Sequence, residues 1–320
     1  MPLSEAAALD ADGTKASPLV SIGVPTFNRP DLLQVALEHL VAQTHKNIEI
    51  VISDNSSPDP SVQKVIEQFS ERDGRIRSTR QVESIGAAQN FIFVLRESRG
   101  EYFMWAADDD YFEPWFIERC LQQFERAAEC ALVATEAQYF VPVHGKFDFI
   151  AEGRDFRRPV AGSKASRIEH LLANNYGNLI YGLFRRTALI RDSEVLWEKT
   201  LLSSLNEIAP LLLAADAGEI VVLPEVGLFK NAPRPVYDQV VWEINGGRHP
   251  TGPCLDPRAL IGTFRYHWKA LQDIYSAIEL TTVSIAEQRS LRTYARDRLT
   301  SHFFNLAIGY KRQRSTGAPT

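Results

Sequence analysis

The chain has 320 residues, 45% of them hydrophobic and 23% charged, with a net charge of −5. Such a make-up fits one large globular domain, or one domain plus an extension, and mild acidity gives no reason to expect nucleic-acid binding as the main task. No apolar run approaches the roughly 20 residues of a membrane span, which argues against an integral-membrane polymer synthase.

Met1–Ser17 lacks a basic stretch followed by an apolar core and reads as a disordered leader. Cys120, Cys130 and Cys254 show neither zinc spacing nor pairing, so a reducing, cytoplasmic setting is expected, with the thiols as small buried apolar groups. Leu19–Pro25 (LVSIGVP) is a buried strand. The period then switches at Thr26-Phe27-Asn28-Arg29-Pro30, where Asn28 can cap and Pro30 suits a first helical turn. Leu32, Leu33, Ala36, Leu37, Leu40 and Val41 follow at helical spacing. Asn47–Ser53 is a second strand, closed by Asp54-Asn55-Ser56-Ser57-Pro58, and a helix with Val62, Val65, Ile66 and Phe69 on one face comes next. A short strand near Ile76–Thr79 leads to a third helix opening at Ile85–Asn90. Glu101–Pro114 (EYFMWAADDDYFEP) is an apolar strand that ends abruptly in Asp108, Asp109 and Asp110.

Beyond Pro114 the pattern loosens. Trp115–Ala128 reads as a helix and Ala131–Val141 as a strand. Lys146–Pro159, with Arg154, Arg157 and Arg158, reads as an irregular excursion. A short helix over Ser166–Asn174, a strand over Leu179–Phe184, a helix over Asn206–Ala215 and a strand over Glu219–Leu223 ending at Pro224 are expected. Pro233–Pro257 is a proline- and glycine-dense loop, and Arg258–Arg312 is mostly helical, in two helices.

Strands alternating with helices at this spacing imply parallel strands with right-handed crossovers, and ligands of such sheets bind outside the strands' carboxyl ends. That rule gathers Thr26, Asp54 and Asp108–Asp110 along one crevice. Crowded carboxylates repel, so three aspartates at a strand end call for a cation or for solvent. A phosphate-bearing ligand with Mg²⁺ or Mn²⁺ satisfies that need, since these ions take oxygen ligands and bind through one or two carboxylates plus substrate phosphates. A solvated turn is the plainer account of an aspartate run, and an Asx turn that of Asp54-Asn55. Neither G-x-G-x-x-G after the first strand nor a G-x-x-x-x-G-K-[ST] run is present, which disfavours dinucleotide and P-loop chemistry.

Two stretches carry a resemblance: VSIGVPTFNRPDLLQVALEHLVAQTHKNIEIVISDNSS and SIGAAQNFIFVLRESRGEYFMWAADDDYFEP. Both resemble the amino-terminal half of family 2 glycosyltransferases of the GT-A fold, closely from about Val20 to Pro114 and more loosely to about Lys230. The wording around Gly86–Phe91 and Trp105–Asp110 is most similar to bacterial enzymes of surface-polysaccharide and O-antigen assembly.

The resemblance implies an α/β GT-A fold, with a Rossmann-like, mostly parallel central sheet flanked by helices and a helical carboxy-terminal extension. The implied division is a leader over 1–17, a glycosyltransferase domain over 18–231 (nucleotide-binding half 18–114, acceptor half 115–231) and a loop plus helical extension over 232–320. It implies an inverting, metal-assisted transfer from a nucleotide-sugar donor, most often UDP-linked, to a glycan or lipid-linked acceptor. Pro25, Thr26, Asn28, Arg29, Asp54 and Asn90 match nucleotide-contacting positions, with Asp54 on the base. Asp108 matches a ribose or metal role, Asp109 the metal ligand and Asp110 its support. Aligned on Pro114, Ala107 falls where many members have their first aspartate. Glu207, in a segment similar to the family's helix-opening acidic pair, matches the base, with Ile208 in place of the second acid; a first-turn glutamate favoured by the helix dipole is the plain alternative. Tyr176 and Asn178 join the arginines as candidate acceptor-side residues. A catalytically silent module on the same fold and a sugar nucleotidyltransferase are the rival readings. The segment Phe303–Arg314 is apolar beside basic and could rest peripherally on an anionic membrane, cap the core or pair with a second subunit.

Overall fold

The computed structural model describes residues 17–143, 146–155, 160–174, 177–192, 194–198, 208–231 and 257–298. The first part is the expected βα alternation. Strand β1 (Val20–Thr26) runs into α1 (Pro30–Val41), whose Pro30 occupies the first turn and whose Leu33, Ala36, Leu37 and Leu40 are buried. Strand β2 (Ile48–Asp54) leads to α2 (Pro60–Arg72), where the Asp59 carboxylate accepts the Ser61 N–H at 2.8 Å and caps the helix. Strand β3 (Ile76–Arg80), α3 (Gly86–Arg96) and β4 (Tyr102–Trp105) complete this half.

After the aspartates come β5 (Tyr111–Phe112), α4 (Phe116–Arg126), β6 (Cys130–Val143), β7 (Lys146–Asp155) and α5 (Lys164–Ala173). Short strands β8 (Leu183–Arg185), β9 (Ile190–Arg191) and β10 (Glu194–Val195) follow, then α6 (Ile208–Ala217), β11 (Glu219–Asn231), α7 (Pro257–Leu280) and α8 (285–298).

Nine of these strands form one sheet in the order β3-β2-β1-β4-β8-β6-β11-β5, with β7 alongside β6. The β3-β2-β1-β4 part is wholly parallel, and β6 and β11 are also parallel, while β8, β5 and β7 join antiparallel. The chain steps outward from β1 to β3 and then returns to place β4 on the other side of β1. That reversal is the switch point at which such sheets open a ligand crevice.

Both faces of the sheet are covered. Val20, Ile22, Val24, Tyr102 and Met104 pack with α1, α2 and α4, while Phe103 and Trp105 pack with α3, α5, α6 and α7. Burial on both faces explains why β1, β2 and β4 read as continuous apolar runs. Trp105 centres the second layer: it meets Phe103, Phe184 and Trp197 edge-on, and its indole N–H donates to the Phe91 carbonyl at 2.9 Å.

Three expectations are corrected. Residues 146–155, expected to be irregular, form β7 and extend β6 as an antiparallel hairpin. Phe147 and Phe149 alternate with polar residues there, and β6 is long enough to pair them with Pro142 and Phe140. Strand β11 does not stop at Pro224 but runs to Asn231, with register shifts between Leu223 and Leu228. Proline has no N–H to give, and the irregularity absorbs it. Over Leu179–Phe184 a 3-10 turn (Gly177–Tyr181) precedes the short β8.

Of the carboxy-terminal segment, α7 and α8 are two helices as expected. Leu271, Ile274, Ala277 and Ile278 of α7 join the same buried cluster as α6. The leader, the 233–256 loop, Cys254 and Phe303–Arg314 lie outside the described residues. Cys120 and Cys130 are free thiols in the core. No helix among the described residues is long and apolar enough to cross a membrane.

Candidate active site

Strand register sets out the site. Thr26 pairs with Asp54 across β1 and β2, and Asp54 pairs with Arg80 across β2 and β3. On the other side Gly23 pairs with Trp105, and three residues further along each chain stand Thr26 and Asp108. Arg80, Asp54, Thr26 and Asp108 therefore form one row across the carboxyl ends of four adjacent parallel strands. The Thr26 hydroxyl donates to Asp108 Oδ2 at 2.7 Å, and the Phe27 N–H donates to the same oxygen at 3.3 Å.

The loop after β1 turns sharply because Asn28 takes a left-handed conformation (φ 59°), which Asn tolerates better than most residues. The Asn28 N–H donates to Ser57 Oγ at 2.8 Å, and Asn28 Oδ1 accepts the Asp59 N–H at 3.2 Å. The β1–α1 and β2–α2 loops are thereby bound into one rim. Pro25 is buried within β1.

Asp54 is fully buried and bonded on both oxygens. Oδ1 accepts the Ser57 N–H at 2.9 Å, and Oδ2 accepts Arg80 Nη1 at 3.0 Å, while Arg80 Nη2 donates to the Ser57 carbonyl at 2.8 Å. Asn90 is buried beneath the rim and exchanges two hydrogen bonds with Ser53, at 2.6 and 3.0 Å. Its amide oxygen accepts and its amide nitrogen donates, so both are engaged within the fold. Arg80 escaped the sequence reading, although its place at the end of β3, in register with Asp54, was the available signal.

The three aspartates divide their partners. Asp108 faces the β1 loop, and its Oδ1 also accepts Arg29 Nη1 at 3.2 Å. Asp110 turns the other way: its Oδ2 accepts Lys230 Nζ at 2.5 Å and its Oδ1 accepts the Asn231 N–H at 3.1 Å. Asp109 Oδ2 accepts Arg29 Nη1 at 2.8 Å, and its Oδ1 has no hydrogen-bond partner among the described residues.

Burial, then the charges of Asp110 and Asp108, push the Asp109 pKa up to about 6. Burial likewise raises Asp108, against the pull of Thr26, Arg29 and the Phe27 amide. Burial opposes the Lys230 charge, yet Asp110 and the Tyr181 ring 3.8 Å away outweigh it, and the Lys230 pKa is raised. Lys230, about 120 residues downstream and on a strand expected to have ended, carried no sequence signal.

A cation at this site fits the donor set in one way. No group of three acidic, histidine or cysteine side chains able to hold a metal forms among the described residues. Mg²⁺ and Mn²⁺ are nevertheless commonly held by one or two carboxylates plus substrate phosphates. Asp109, with an oxygen left open among the described residues and a pKa raised by burial and by its acidic neighbours, suits that arrangement, with Asp110 behind it.

Of the residues expected to face an acceptor, Asn178 donates through Nδ2 to the Tyr139 hydroxyl at 2.8 Å. The backbone of Arg154 pairs with Gln138. Arg157, Arg158, Tyr176 and Glu207 lie outside the described residues; α6 begins one position after Glu207.

The sheet order, the switch point and the aspartate loop define a GT-A fold. S. aureus TarS 1–349 in complex with UDP-GlcNAc is similar with a TM-score of 0.58 at 14% identity, over 88% of this chain and 72% of that one. The same protein in complex with UDP gives 0.56, over 92% and 91%.

Residues 21–166 match the model of the family described as Glycosyl transferase family 2. Glycosyltransferase GlyG of Streptococcus pneumoniae is 31% identical over 140 residues, 44% of this chain and 46% of that protein. Chondroitin synthase of Escherichia coli is 32% identical over 122 residues, 38% and 17%. The chain thus spans about half, or less, of the length of these curated relatives.

Proposed function

We propose that the chain is an inverting glycosyltransferase that moves a sugar from a nucleotide-sugar donor, a UDP-sugar, to a hydroxyl of a glycan or lipid-linked acceptor in bacterial cell-surface polysaccharide synthesis. The observation that carries this reading is the row Asp54–Thr26–Asp108 at the switch point, with Asp109 beside it keeping one oxygen open among the described residues. The relatives support it: TarS was solved with UDP-GlcNAc and with UDP, and GlyG is a glycosyltransferase.

In this reading residues 18–114 are the nucleotide-binding half, 115–231 the acceptor half and 232–320 an extension, whose α7 adds Leu271, Ile274, Ala277 and Ile278 to the core. Pro25, Thr26, Asn28 and Arg29 border the diphosphate and ribose, with Asp108 holding that loop in shape. Asp54 and Arg80 present the polar edge for the base, and Asn90 keeps the strand ends in place through Ser53. Asp109, supported by Asp110, would hold Mg²⁺ or Mn²⁺, which when bound supplies positive charge to a leaving diphosphate. Glu207 takes the proton of the acceptor hydroxyl. The freed oxygen forms its bond to the anomeric carbon from the face opposite the diphosphate. The old C–O bond breaks with its electron pair leaving on the nucleotide, so configuration inverts. General-base assistance of this kind is typically worth about 10²–10⁴-fold.

Calorimetric titration with UDP, with and without Mn²⁺, followed by donor-hydrolysis and transfer assays, tests the reading. UDP affinity that depends on Mn²⁺ and disappears in Asp109→Ala, with transfer lost as well, is the expected result. Normal transfer by Asp109→Ala removes the cation assignment. Absence of any UDP affinity removes the nucleotide site.

A further inference from the structure

Arg29 occupies the place a cation would need. One of its nitrogens, Nη1, lies 3.2 Å from Asp108 Oδ1 and 2.8 Å from Asp109 Oδ2, so a single guanidinium bridges two of the three carboxylates. The Lys230–Asp110 pair of the same aspartate run is built differently. Lys230 is 16% exposed and Asp110 2% exposed, whereas the Arg29 side chain is 50% exposed. Moving Lys230 would leave Asp110 without a cation in a buried place, which is costly, while moving Arg29 returns a half-solvated guanidinium to water and leaves Asp108 its bonds from Thr26 and Phe27.

Charge matching points the same way. With both basic side chains in place, the three aspartates keep one uncompensated negative charge, a poor match for a divalent ion. Once Arg29 leaves, two remain, and these balance one divalent ion. A diphosphate arriving at the rim offers Arg29 a new anionic partner within reach of its flexible stem, because guanidinium binds phosphate as readily as carboxylate.

From this geometry, and resting on the nucleotide-sugar reading above, we infer that Arg29 is a resident counter-ion that competes with the divalent cation for Asp109 and is released by the donor's diphosphate. Cation and nucleotide then bind with positive coupling that passes through Arg29. Without nucleotide the acidic loop is self-neutralised and takes up metal poorly, so the cation follows the donor. By linkage, the cation must strengthen nucleotide binding by the same factor.

The test counts free Mn²⁺ by electron paramagnetic resonance during titration of the full chain and of its Arg29→Gln, Arg29→Met and Arg29→Lys variants, each with and without UDP. Circular dichroism melts verify folding; Arg29→Met keeps the aliphatic stem should Arg29→Gln fold poorly. The neutral variants are expected to bind Mn²⁺ roughly tenfold more tightly than the parent without UDP, equivalent to about 1.4 kcal/mol. Arg29→Lys should stay near the parent, and UDP should tighten Mn²⁺ more in the parent than in the neutral variants. Equal or weaker Mn²⁺ affinity in the neutral variants overturns the inference while leaving the cation site standing. Arg29→Lys binding as tightly as Arg29→Gln also overturns it, since charge would then not be the cause. If no protein binds Mn²⁺ even with UDP, the cation site and the inference fall together, and UDP calorimetry reports separately on the nucleotide site.

Discussion

Lys230 Nζ lies 2.5 Å from Asp110 Oδ2, joining the end of β11 to the aspartate loop across 120 positions of sequence. The bond is backed by the Asn231 N–H on the other oxygen of Asp110 and by the pairing of β5 with β11 at Tyr111–Phe229 and Phe112–Leu228. The loop that presents Asp109 is therefore held from one side by β1 and from the other by β11.

Breaking this pair from one side should be costly. Lys230→Met leaves Asp110 charged and buried, and removing one partner of such a pair typically costs about 3–5 kcal/mol. The double variant Lys230→Met/Asp110→Asn, which removes both charges, should recover most of that loss. Urea unfolding of the three proteins measures both numbers, and a single variant within about 0.5 kcal/mol of the parent would contradict the buried-pair account.

Asp109 predicts a pH dependence of stability. Its folded pKa of about 6 lies above the ordinary carboxyl value of 3.8, so between these values the folded chain binds more protons than the unfolded chain. Stability from this group is therefore greatest below about 4 and is lost as pH rises through about 6. The effect is on the order of 3 kcal/mol. Asp109→Asn lacks it, so the parent-minus-variant difference should fall between pH 4 and pH 6.5. A flat difference across that window would show that Asp109 titrates normally.

Glu207→Gln separates binding from chemistry. With an acceptor in hand, kcat should fall by about 10²–10⁴-fold while UDP affinity changes little. Loss of UDP affinity with unchanged kcat would assign Glu207 to the nucleotide and leave the base elsewhere.

Trp105 anchors the layer beneath the aspartates through edge-on contacts with Phe103, Phe184 and Trp197. Trp105→Ala should cost about 3–5 kcal/mol, whereas Trp105→Phe should cost less, because most of the ring volume is kept. Thermal unfolding distinguishes them. Equal losses would indicate that the indole N–H bond to Phe91, not the ring packing, dominates.

The amino-terminal half was legible because its order is local. Apolar, β-branched runs such as Val20–Val24 and Ile48–Ile52 fit strands buried on both faces, and Pro30 and the turn Asp54–Pro58 mark where the first two helices begin. Alternation then requires parallel crossovers, so the convergence of Thr26, Asp54 and Asp108 follows from sequence with no coordinates. Beyond Pro114 the order is long-range. Whether residues 146–155 are a strand depends on the length of β6, and whether β11 survives Pro224 depends on a bulge against the same strand. Neither partner is visible from within the segment itself.

The same division runs through the aspartates. By itself the sequence determined that three carboxylates end a buried strand at a ligand crevice. Only the tertiary structure decided which partners each one has, because the charges and donors within about 3 Å of a carboxylate are set by how distant segments pack. Thr26, Phe27 and Arg29 take up Asp108, Lys230 and Asn231 take up Asp110, and Asp109 alone keeps an open oxygen among the described residues.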